Sequence, residues 1–256
     1  MELRPLDQEF DASVALVTGA GAGIGRAIAR RLAAGGATVV VTDKHQGRMD
    51  AVVEEIVAAG GAAVGHVLDI EQRDHFDAVL GDVERELGPI TTYVWNAALN
   101  KQQPIFDHDP ELFDRIAYAN INNCWYSCML VAKQMQAAGG GSITMIGSIA
   151  PDVRATDREP PYAMSKAAVR ALVGGIATAG GPLNIRCNEV VMGLVTGTRF
   201  TDSQPEKARH FVAGVPLGRN ATTDDIAEAV AFLASDRAAF VTGEVMNVTG
   251  GATFTL

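Results

Sequence analysis

Short apolar runs alternate with amphipathic stretches along this sequence, and most of the amphipathic stretches end in glycine. The first apolar run is Val14–Val17, and the amphipathic stretch that follows it, 24–34, stops at Gly35 and Gly36. Glycine just past the last helical residue is a common helix stop, because it adopts the left-handed backbone conformation easily. The pattern predicts seven strands, at 14–17, 38–42, 62–68, 92–95, 142–146, 184–191 and 244–248.

The amphipathic stretches between these strands predict helices. They lie at 24–34, 49–59, 73–87, 110–138 with a break near Asn120, 162–179 and 224–234. Apolar strands that alternate with helices are typical of a parallel sheet covered on both faces. Right-handed crossovers then give a doubly wound, Rossmann-type α/β fold of about seven parallel strands. We expect residues 1–256 to form a single domain, and the long connections 150–161 and 193–219 to shape a substrate pocket.

A glycine-rich turn follows the first strand. Gly19, Gly23 and Gly25 are spaced as G-x-x-x-G-x-G, whereas the usual dinucleotide fingerprint G-x-G-x-x-G would need glycine in place of Ile24. Glycines let the backbone approach a pyrophosphate, and the helix that follows offers unpaired N–H groups to its oxygens. A glycine-rich turn between the first strand and the first helix therefore predicts a dinucleotide site.

The second strand leads to an acidic residue, Asp43. A carboxylate about 20 residues past the glycine turn can accept hydrogen bonds from the adenosine ribose, and it repels a 2′-phosphate. Lys44 would soften that preference, but the glycine turn carries no basic residue. The sequence therefore favours NAD(H) over NADP(H).

Tyr162 and Lys166 are four residues apart, which places a phenol and an ammonium group on one face of a helix. A phenol with a pKa of about 10 is a poor base at neutral pH, and a nearby cation lowers that pKa. Such a pair can give a proton to an alkoxide or take one from an alcohol. Ser148 follows the fifth strand, where its hydroxyl can hydrogen-bond a substrate oxygen.

From about Val14 onward the sequence resembles the short-chain dehydrogenase/reductase family. The resemblance rests on the glycine turn, Leu68-Asp69-Ile70, Asn96-Ala97, Asn120, Ser148, Tyr162-x-x-x-Lys166, Thr242-Gly243 and Val248-Thr249-Gly250-Gly251. It implies an NAD(P)-binding enzyme that moves a hydride between nicotinamide and a small-molecule alcohol or ketone. Relatives commonly pack as homotetramers through the helices that here span 120–138 and 162–179.

The resemblance also implies residue roles. Tyr162 would be the acid/base, Lys166 would lower its pKa and bind the nicotinamide ribose, Ser148 would hold the substrate oxygen, and Asn120 would anchor a water in a proton relay. Asp69 and Ile70 would contact adenine, Asn96 would lie beside the cofactor, and the backbone of Val195 would meet the carboxamide. The implied cofactor-binding set is Gly19, Gly23, Ile24, Gly25, Asp43, Asp69, Ile70, Asn96, Tyr162, Lys166 and Val195.

Two stretches depart from the family pattern. Trp95 and Ala98 stand where the motif Asn-Asn-Ala-Gly has its first asparagine and its glycine. After the sixth strand, Met192-Gly193 replaces Pro-Gly, and the expected threonine falls at Gly197, with a threonine on either side. The register of that loop stays open.

Charge and composition argue against other classes of protein. A net charge of −9 makes nucleic acid a poor partner. No apolar stretch is long enough to span a bilayer and the N-terminus does not resemble a signal peptide, so we expect a cytoplasmic protein with no membrane partner. Cys124 and Cys128 are four residues apart on a predicted helix, but no further histidine or cysteine lies at metal-ligand spacing. The sequence therefore predicts no metal, and the three cysteines should be buried as small apolar residues.

A charged cluster precedes the tyrosine, formed by Arg154, Asp157, Arg158 and Glu159. It either faces substrate or forms a solvated loop, and we favour solvent. The leading functional hypothesis is an NAD(H)-dependent oxidoreductase that interconverts a secondary alcohol and a ketone. The alternatives are a 3-oxoacyl thioester reductase that uses NADPH and a non-catalytic dinucleotide-binding regulator.

Overall fold

The computed structural model describes residues 5–152 and 159–253. Within them lies a parallel sheet of seven strands in the order β3-β2-β1-β4-β5-β6-β7. The strands are β1 (Val14–Val17), β2 (Thr38–Asp43), β3 (Ala62–Val67), β4 (Thr92–Trp95), β5 (Gly141–Ile146), β6 (Ile185–Met192) and β7 (Val245–Val248). The predicted doubly wound fold is confirmed, and each predicted strand end lies within a residue of the observed one.

Helices connect the strands on both sides. In the described part of the chain they are α1 (Gly23–Ala34), α2 (Gln46–Ala58), α3 (Arg73–Leu87), α4 (Pro110–Ala117), α5 (Asn123–Ala138), α6 (Pro160–Gly180), α7 (Arg199–Ser203), α8 (Pro205–Val212) and α9 (Thr223–Ala234). A π-helical turn, Tyr118–Asn122, joins α4 to α5 and confirms the predicted break near Asn120. The sequence did not predict α7 and α8, because helices this short have too few residues for a periodic apolar pattern.

Two apolar layers hold the helices against the sheet. One face packs against α1, α2 and α9, through residues such as Ile28 and Val230. The other face packs against α3, α5 and α6, through Phe76, Val131 and Val173. Because both faces are covered, the central strands are buried along their whole length, as their continuous apolar sequences predict.

The order of the strands fixes where a crevice opens. β1 lies between β2 and β4, so the chain leaves β1 toward one side of the sheet and reaches the other half of the sheet through β4. In doubly wound folds ligands bind outside the carboxyl ends of the strands at such a switch point. Among the described residues, no helix has the length and apolar character needed to cross a membrane.

Candidate active site

A cleft of about 1130 Å3 runs along the carboxyl ends of the strands. Its glycine-turn end is lined by Gly19, by residues 22–25 and by Asp43, and its tyrosine end by Ser148, Glu159 and Tyr162. The predicted site residues that line it are Gly19, Gly23, Ile24, Gly25, Asp43, Asp69, Ile70, Asn96, Ser148, Tyr162 and Val195. Asn120 and Lys166 are buried beside the tyrosine end.

The glycine turn has a backbone that requires glycine. Gly19 and Gly23 have φ angles of 65° and 54°, in the left-handed region that other residues rarely adopt. At Gly25 a Cβ would overlap the carbonyl oxygen of Gly19, so the helix could not pack as closely on the turn. Nothing lies within 3.8 Å of the place where a Cβ at Gly23 would stand. The turn therefore leaves open space where the backbone can approach a bound group.

The first turn of α1 fits an anionic ligand. Ala22 occupies the N-cap and has no polar side chain to accept hydrogen bonds from the first N–H groups. Gly23, Ile24 and Gly25, which form that first turn, line the cleft. Uncapped N–H groups at the positive end of a helix suit the pyrophosphate of a dinucleotide.

Asn96 ties the fourth strand to the glycine turn. Its Nδ2 donates to the carbonyl oxygens of Thr18 (2.8 Å) and Gly19 (3.2 Å). In return, the Thr18 hydroxyl accepts hydrogen bonds from the N–H groups of Asn96 (2.9 Å) and Ala97 (3.0 Å). The amide of Asn96 thus shapes the turn. Trp95, which departs from the family pattern, points into the core and stacks on Phe76, so this departure lies outside the cleft.

The carboxylate of Asp43 is held at the end of β2 by two backbone groups. Oδ2 accepts a hydrogen bond from the N–H of Gly21 (3.2 Å), and Oδ1 accepts one from the N–H of His45 (2.9 Å). This leaves acceptor capacity on both oxygens. The Asp69 carboxylate, at the same end of the cleft, accepts a hydrogen bond from the N–H of Glu71 (3.0 Å).

Tyr162 lies in the first turn of α6, which begins with two prolines. Burial raises the pKa of Tyr162 to about 12, the hydroxyl of Ser148 lowers it through a hydrogen bond, and the charge of Glu159 raises it further. The phenol is therefore protonated at neutral pH. Contrary to the expectation, Lys166 is not among the groups that shift this pKa, and its Nζ donates to the carbonyl oxygen of Ile146 (2.6 Å).

Lys166 lies behind the tyrosine, with its ammonium group buried. Burial lowers its pKa to about 8, and the nearby Cys124 and Glu189 act in the opposite direction. The ammonium form is therefore the main one at neutral pH. Its Nζ lies 5.6 Å from the centroid of the Tyr162 ring, within the range of a cation–π contact.

The side chain of Asn120 is fully engaged inside the protein. Its Oδ1 accepts from the N–H of Leu99 (2.8 Å), and its Nδ2 donates to the carbonyl oxygen of Leu99 (2.9 Å) and to the hydroxyl of Ser165 (3.1 Å). The π-helical turn that carries it is a feature often found at functional sites. Asn120 thus fixes the segment after β4 against the turn of α6 that carries Tyr162 and Ser165.

The structure resolves the register of the loop after β6. The carbonyl oxygen of Val195 accepts hydrogen bonds from the hydroxyls of Thr198 (3.0 Å) and Thr201 (2.9 Å). Thr198 caps α7 and lines the cleft, whereas the hydroxyl of Thr196 donates to the carbonyl oxygen of Ala221. Of the two candidate threonines, Thr198 is therefore the one that faces the cleft.

The position of Glu159 contradicts the prediction that the charged residues before Tyr162 face solvent. It is only 6% exposed and lines the tyrosine end of the cleft. Its Oε1 accepts hydrogen bonds from Gln102 and from Lys207 Nζ on α8. No local pattern reveals these partners, because they are distant in the sequence. Arg154, Asp157 and Arg158 lie outside the described residues.

Three further observations bear on the site. Cys124, Cys128 and Cys187 are buried and unpaired, as predicted. Among residues 5–152 and 159–253, no group of three histidine, cysteine or acidic side chains could hold a metal ion. Glu189 is a second buried acid that sequence reasoning missed, although a charged residue within the otherwise buried β6 was a visible signal.

Comparison with known proteins gives consistent matches over nearly the whole chain. A family model described as "Enoyl-(Acyl carrier protein) reductase" matches residues 19–253. The L-rhamnose 1-dehydrogenase (NAD(P)(+)) of Azotobacter vinelandii is 35% identical over 243 residues, covering 92% of this chain and 94% of the relative. The 3-oxoacyl-acyl-carrier-protein reductase FabG of Thermotoga maritima is 31% identical, covering 94% of this chain and 98% of its own length.

A solved structure agrees closely with the fold. The gluconate 5-dehydrogenase of Burkholderia cenocepacia, in complex with NADP and tartrate, superposes with a TM-score of 0.90 at 28% identity. The match covers 98% of this chain and 99% of that one. The named relatives thus differ in substrate, and the cofactors named with them include NADP.

Proposed function

This chain belongs to the short-chain dehydrogenase/reductase family of oxidoreductases, and on that basis we propose that it interconverts a secondary alcohol and a ketone with NAD(H) as cofactor. The observation that carries the proposal is that Ser148 and Tyr162 line the same end of the cleft, where the hydroxyl of Ser148 lowers the pKa of Tyr162. Two hydroxyl groups at one end of the cleft can both hydrogen-bond a substrate oxygen. One of them can also give that oxygen a proton or take one from it.

In the reducing direction the chain's own residues hold the substrate and supply the proton. The bound nicotinamide supplies the hydride. Ser148 donates a hydrogen bond to the carbonyl oxygen, and Tyr162, protonated because of its raised pKa, gives its proton to the alkoxide that forms. The ammonium group of Lys166 stabilises the phenolate that remains. Oxidation of an alcohol reverses these steps, with the phenolate as the base.

The preference for NAD(H) is supported by the charge at the glycine-turn end. The carboxylate of Asp43 is held where the ribose of a dinucleotide on the glycine turn would lie, and a 2′-phosphate would be repelled there. We propose that Asp69 and Ile70 contact the adenine, that the backbone of Gly19–Gly25 receives the pyrophosphate, and that Val195 meets the carboxamide. Lys166 would also bind the nicotinamide ribose, and Asn96 would hold the turn in shape beside the cofactor.

The direct test is turnover by the purified full chain with NAD+ and a panel of secondary alcohols. The panel should contain a sugar, a sugar acid, a hydroxysteroid and an aliphatic alcohol, and the appearance of NADH is followed by absorbance. We expect NADH to form with at least one class. If NADH binds and no member of the panel or of the matching ketones reacts, the proposal is wrong.

A 3-oxoacyl thioester reductase that uses NADPH is a second candidate. It is favoured by the likeness to a reductase of that name and by NADP in the solved dehydrogenase structure. Lys44, which lines the cleft beside Asp43, would be the group available to a 2′-phosphate. The dissociation constants of NADH and NADPH separate the candidates, since tighter NADPH binding would favour the thioester reductase.

A non-catalytic dinucleotide-binding regulator is the third candidate, because the fold alone does not require catalysis. The presence of Ser148, Tyr162 and Lys166 together speaks against it. Such a regulator would bind NADH without turning over any substrate, and replacement of Tyr162 would leave its behaviour unchanged.

We also propose that the chain forms a homotetramer through α5 and α6. Trp125 and Met129 on α5 and Met164 on α6 are 49%, 43% and 57% exposed in the single chain. Large apolar side chains grouped on helices are typical of surfaces that another subunit covers. Analytical ultracentrifugation should give four times the chain mass, and Trp125→Glu should reduce it.

A further inference from the structure

Glu189 is a buried acid at a position where the sheet offers it little compensation. It lies within β6, opposite Met145 of β5 and Val245 of β7, and it is 0% exposed. Oε2 accepts a hydrogen bond from Nε of Arg170 (3.2 Å). Oε1 has no hydrogen-bond donor among the residues that the structure describes. A half-satisfied carboxylate is costly inside a protein, so a glutamate buried at this position points to a role.

The unpartnered oxygen points at the end of β5. A Cβ at Gly147 would overlap Oε1, so only glycine leaves the space that this carboxylate occupies. Gly147 directly follows Ile146, whose carbonyl oxygen accepts the hydrogen bond from Lys166 Nζ at 2.6 Å. The carboxylate of Glu189 and the ammonium group of Lys166 therefore lie against two consecutive residues at the carboxyl end of β5.

The charges around these groups balance only as a set. Arg170, besides its bond to Glu189, donates two hydrogen bonds of 2.9 Å to Asp152. Its single positive charge is thus shared between two carboxylates, and Lys166 supplies the second positive charge. Burial raises the pKa of Glu189, whereas Arg170 and, more weakly, Lys166 lower it. The other titratable groups that act on the pair are the thiols of Cys124 on α5 and Cys187 on β6, and the phenol of Tyr162 faces Lys166.

We propose that Glu189, whose carboxylate fills the space at Gly147, is a buried negative charge that helps to keep the ammonium group of Lys166 protonated across the end of β5. Glu189 would not touch substrate or cofactor. It would act through Lys166, and so the inference rests on the proposed role of Lys166 beside Tyr162. Without Glu189, Lys166 would keep its carbonyl partner but lose a nearby negative charge, and it would lose its proton more easily.

The test measures the protonation of Lys166 directly and needs no substrate. The full chain, which has five lysines, is labelled with 13C at the lysine Cε, and the signal of Lys166 is assigned by its loss in Lys166→Met. In the native protein we expect a midpoint of about 8. In Glu189→Gln, which keeps an acceptor for Arg170, we expect the midpoint to fall by about one pH unit, a tenfold change in the dissociation constant.

Two matched variants complete this titration. Glu189→Asp keeps the charge, and it should restore most of the native midpoint. Glu244→Gln removes an exposed acid just before β7, and it should leave the midpoint in place. An unchanged midpoint in Glu189→Gln, or an equal fall in Glu244→Gln, would overturn the proposal.

A reciprocal measurement covers the case in which Glu189→Gln does not fold. In Lys166→Met, the 13C-labelled side-chain carboxyl of Glu189 should titrate at higher pH than in the native protein, because one of its two cations is gone. A Glu189 titration that does not move would contradict the proposal. Neither readout depends on turnover, so an inactive protein with coupled titrations would refute the proposed function and leave this inference intact.

Discussion

The two ends of the cleft are built in different ways. At the glycine-turn end, the backbone of the turn and the carboxylate of Asp43 come from the first 43 residues, and Asp69 and Asn96 complete it from the segments after β3 and β4. At the tyrosine end, Ser148, Tyr162 and Lys207 come from the loop after β5, from α6 and from α8, and their side chains line one cleft only because the chain folds back on itself. The glycine-turn end is therefore built mainly from residues close together in the sequence. The tyrosine end depends on packing between residues that are far apart in the sequence.

The two ends also differ in electrostatics. The glycine-turn end presents uncapped N–H groups, which are fixed dipoles that do not titrate. The tyrosine end holds a half-buried phenol, a buried ammonium group and the buried carboxylate of Glu159, and burial shifts the pKa of both Tyr162 and Lys166. We therefore expect changes at the first end to alter cofactor affinity, and changes at the second to alter turnover and its pH dependence.

Tyr162→Phe gives the largest expected effect and separates the two ends most clearly. Loss of the proton donor should lower kcat/KM by about 10²- to 10⁴-fold. The dissociation constant of NADH, measured by fluorescence titration, should change little. Tyr126→Phe is the matched control, because that hydroxyl bonds to Asp77 away from the cleft. If Tyr162→Phe keeps native turnover, the acid/base assignment fails.

Asp43→Asn tests the choice of cofactor. Hydrogen bonds to charged groups contribute about 1.5–3 kcal/mol, so NADH affinity should fall by about 10- to 100-fold. NADPH affinity should fall less or rise, since the repulsion of the 2′-phosphate is removed. Calorimetric titration with both cofactors checks this, with the exposed Asp50→Asn as control. Equal losses for both cofactors would contradict the proposed selectivity.

Gly19→Ala tests whether the turn must have its observed backbone. Alanine in the left-handed region costs roughly 1–2 kcal/mol, and the new Cβ would lie 3.0 Å from Cβ of Ala97. We expect the dissociation constant of NADH to rise about tenfold. Gly60→Ala carries a similar backbone cost at a φ of 85°, with no atom within 4 Å of the new Cβ, and it should bind NADH normally. Equal affinities in the two variants would contradict a role for the turn.

Glu159→Gln gives the smallest expected effect, confined to the tyrosine end. The charge of Glu159 raises the pKa of Tyr162, so its removal should lower that pKa. Alcohol oxidation needs the phenolate, and its kcat/KM should rise with pH up to that pKa. In Glu159→Gln, the rise of kcat/KM with pH for alcohol oxidation should therefore move to lower pH by up to about one unit. The rate of ketone reduction at neutral pH should change little.

The control for this profile is Glu206→Gln, an exposed acid on α8 beside Lys207. Its profile should coincide with that of the native protein. If the rise of kcat/KM with pH moves to higher pH in Glu159→Gln, Glu159 does not act by raising the pKa of Tyr162.

The sequence predicted the strands and the glycine-turn end well because both follow from local rules. Apolar runs of four to eight residues mark strands in a covered parallel sheet, and Gly19, Gly23 and Asp43 lie at positions that the turn and the strand end dictate. The prediction that Lys166 lowers the pKa of Tyr162 did not hold as a net effect. Spacing in a helix shows which side chains are neighbours, and it does not show how deeply they are buried.

The sequence by itself determined the doubly wound fold, the place of the cleft and the presence of Ser148, Tyr162 and Lys166 beside it. Only the tertiary structure decided that Glu159 is buried, that Thr198 faces the cleft, and that Glu189 fills the space beside Gly147. The physical reason is that a side chain's burial and charge partners depend on residues far away in the sequence. Backbone conformation and apolar periodicity depend on residues that are neighbours in the sequence, so the sequence shows both directly.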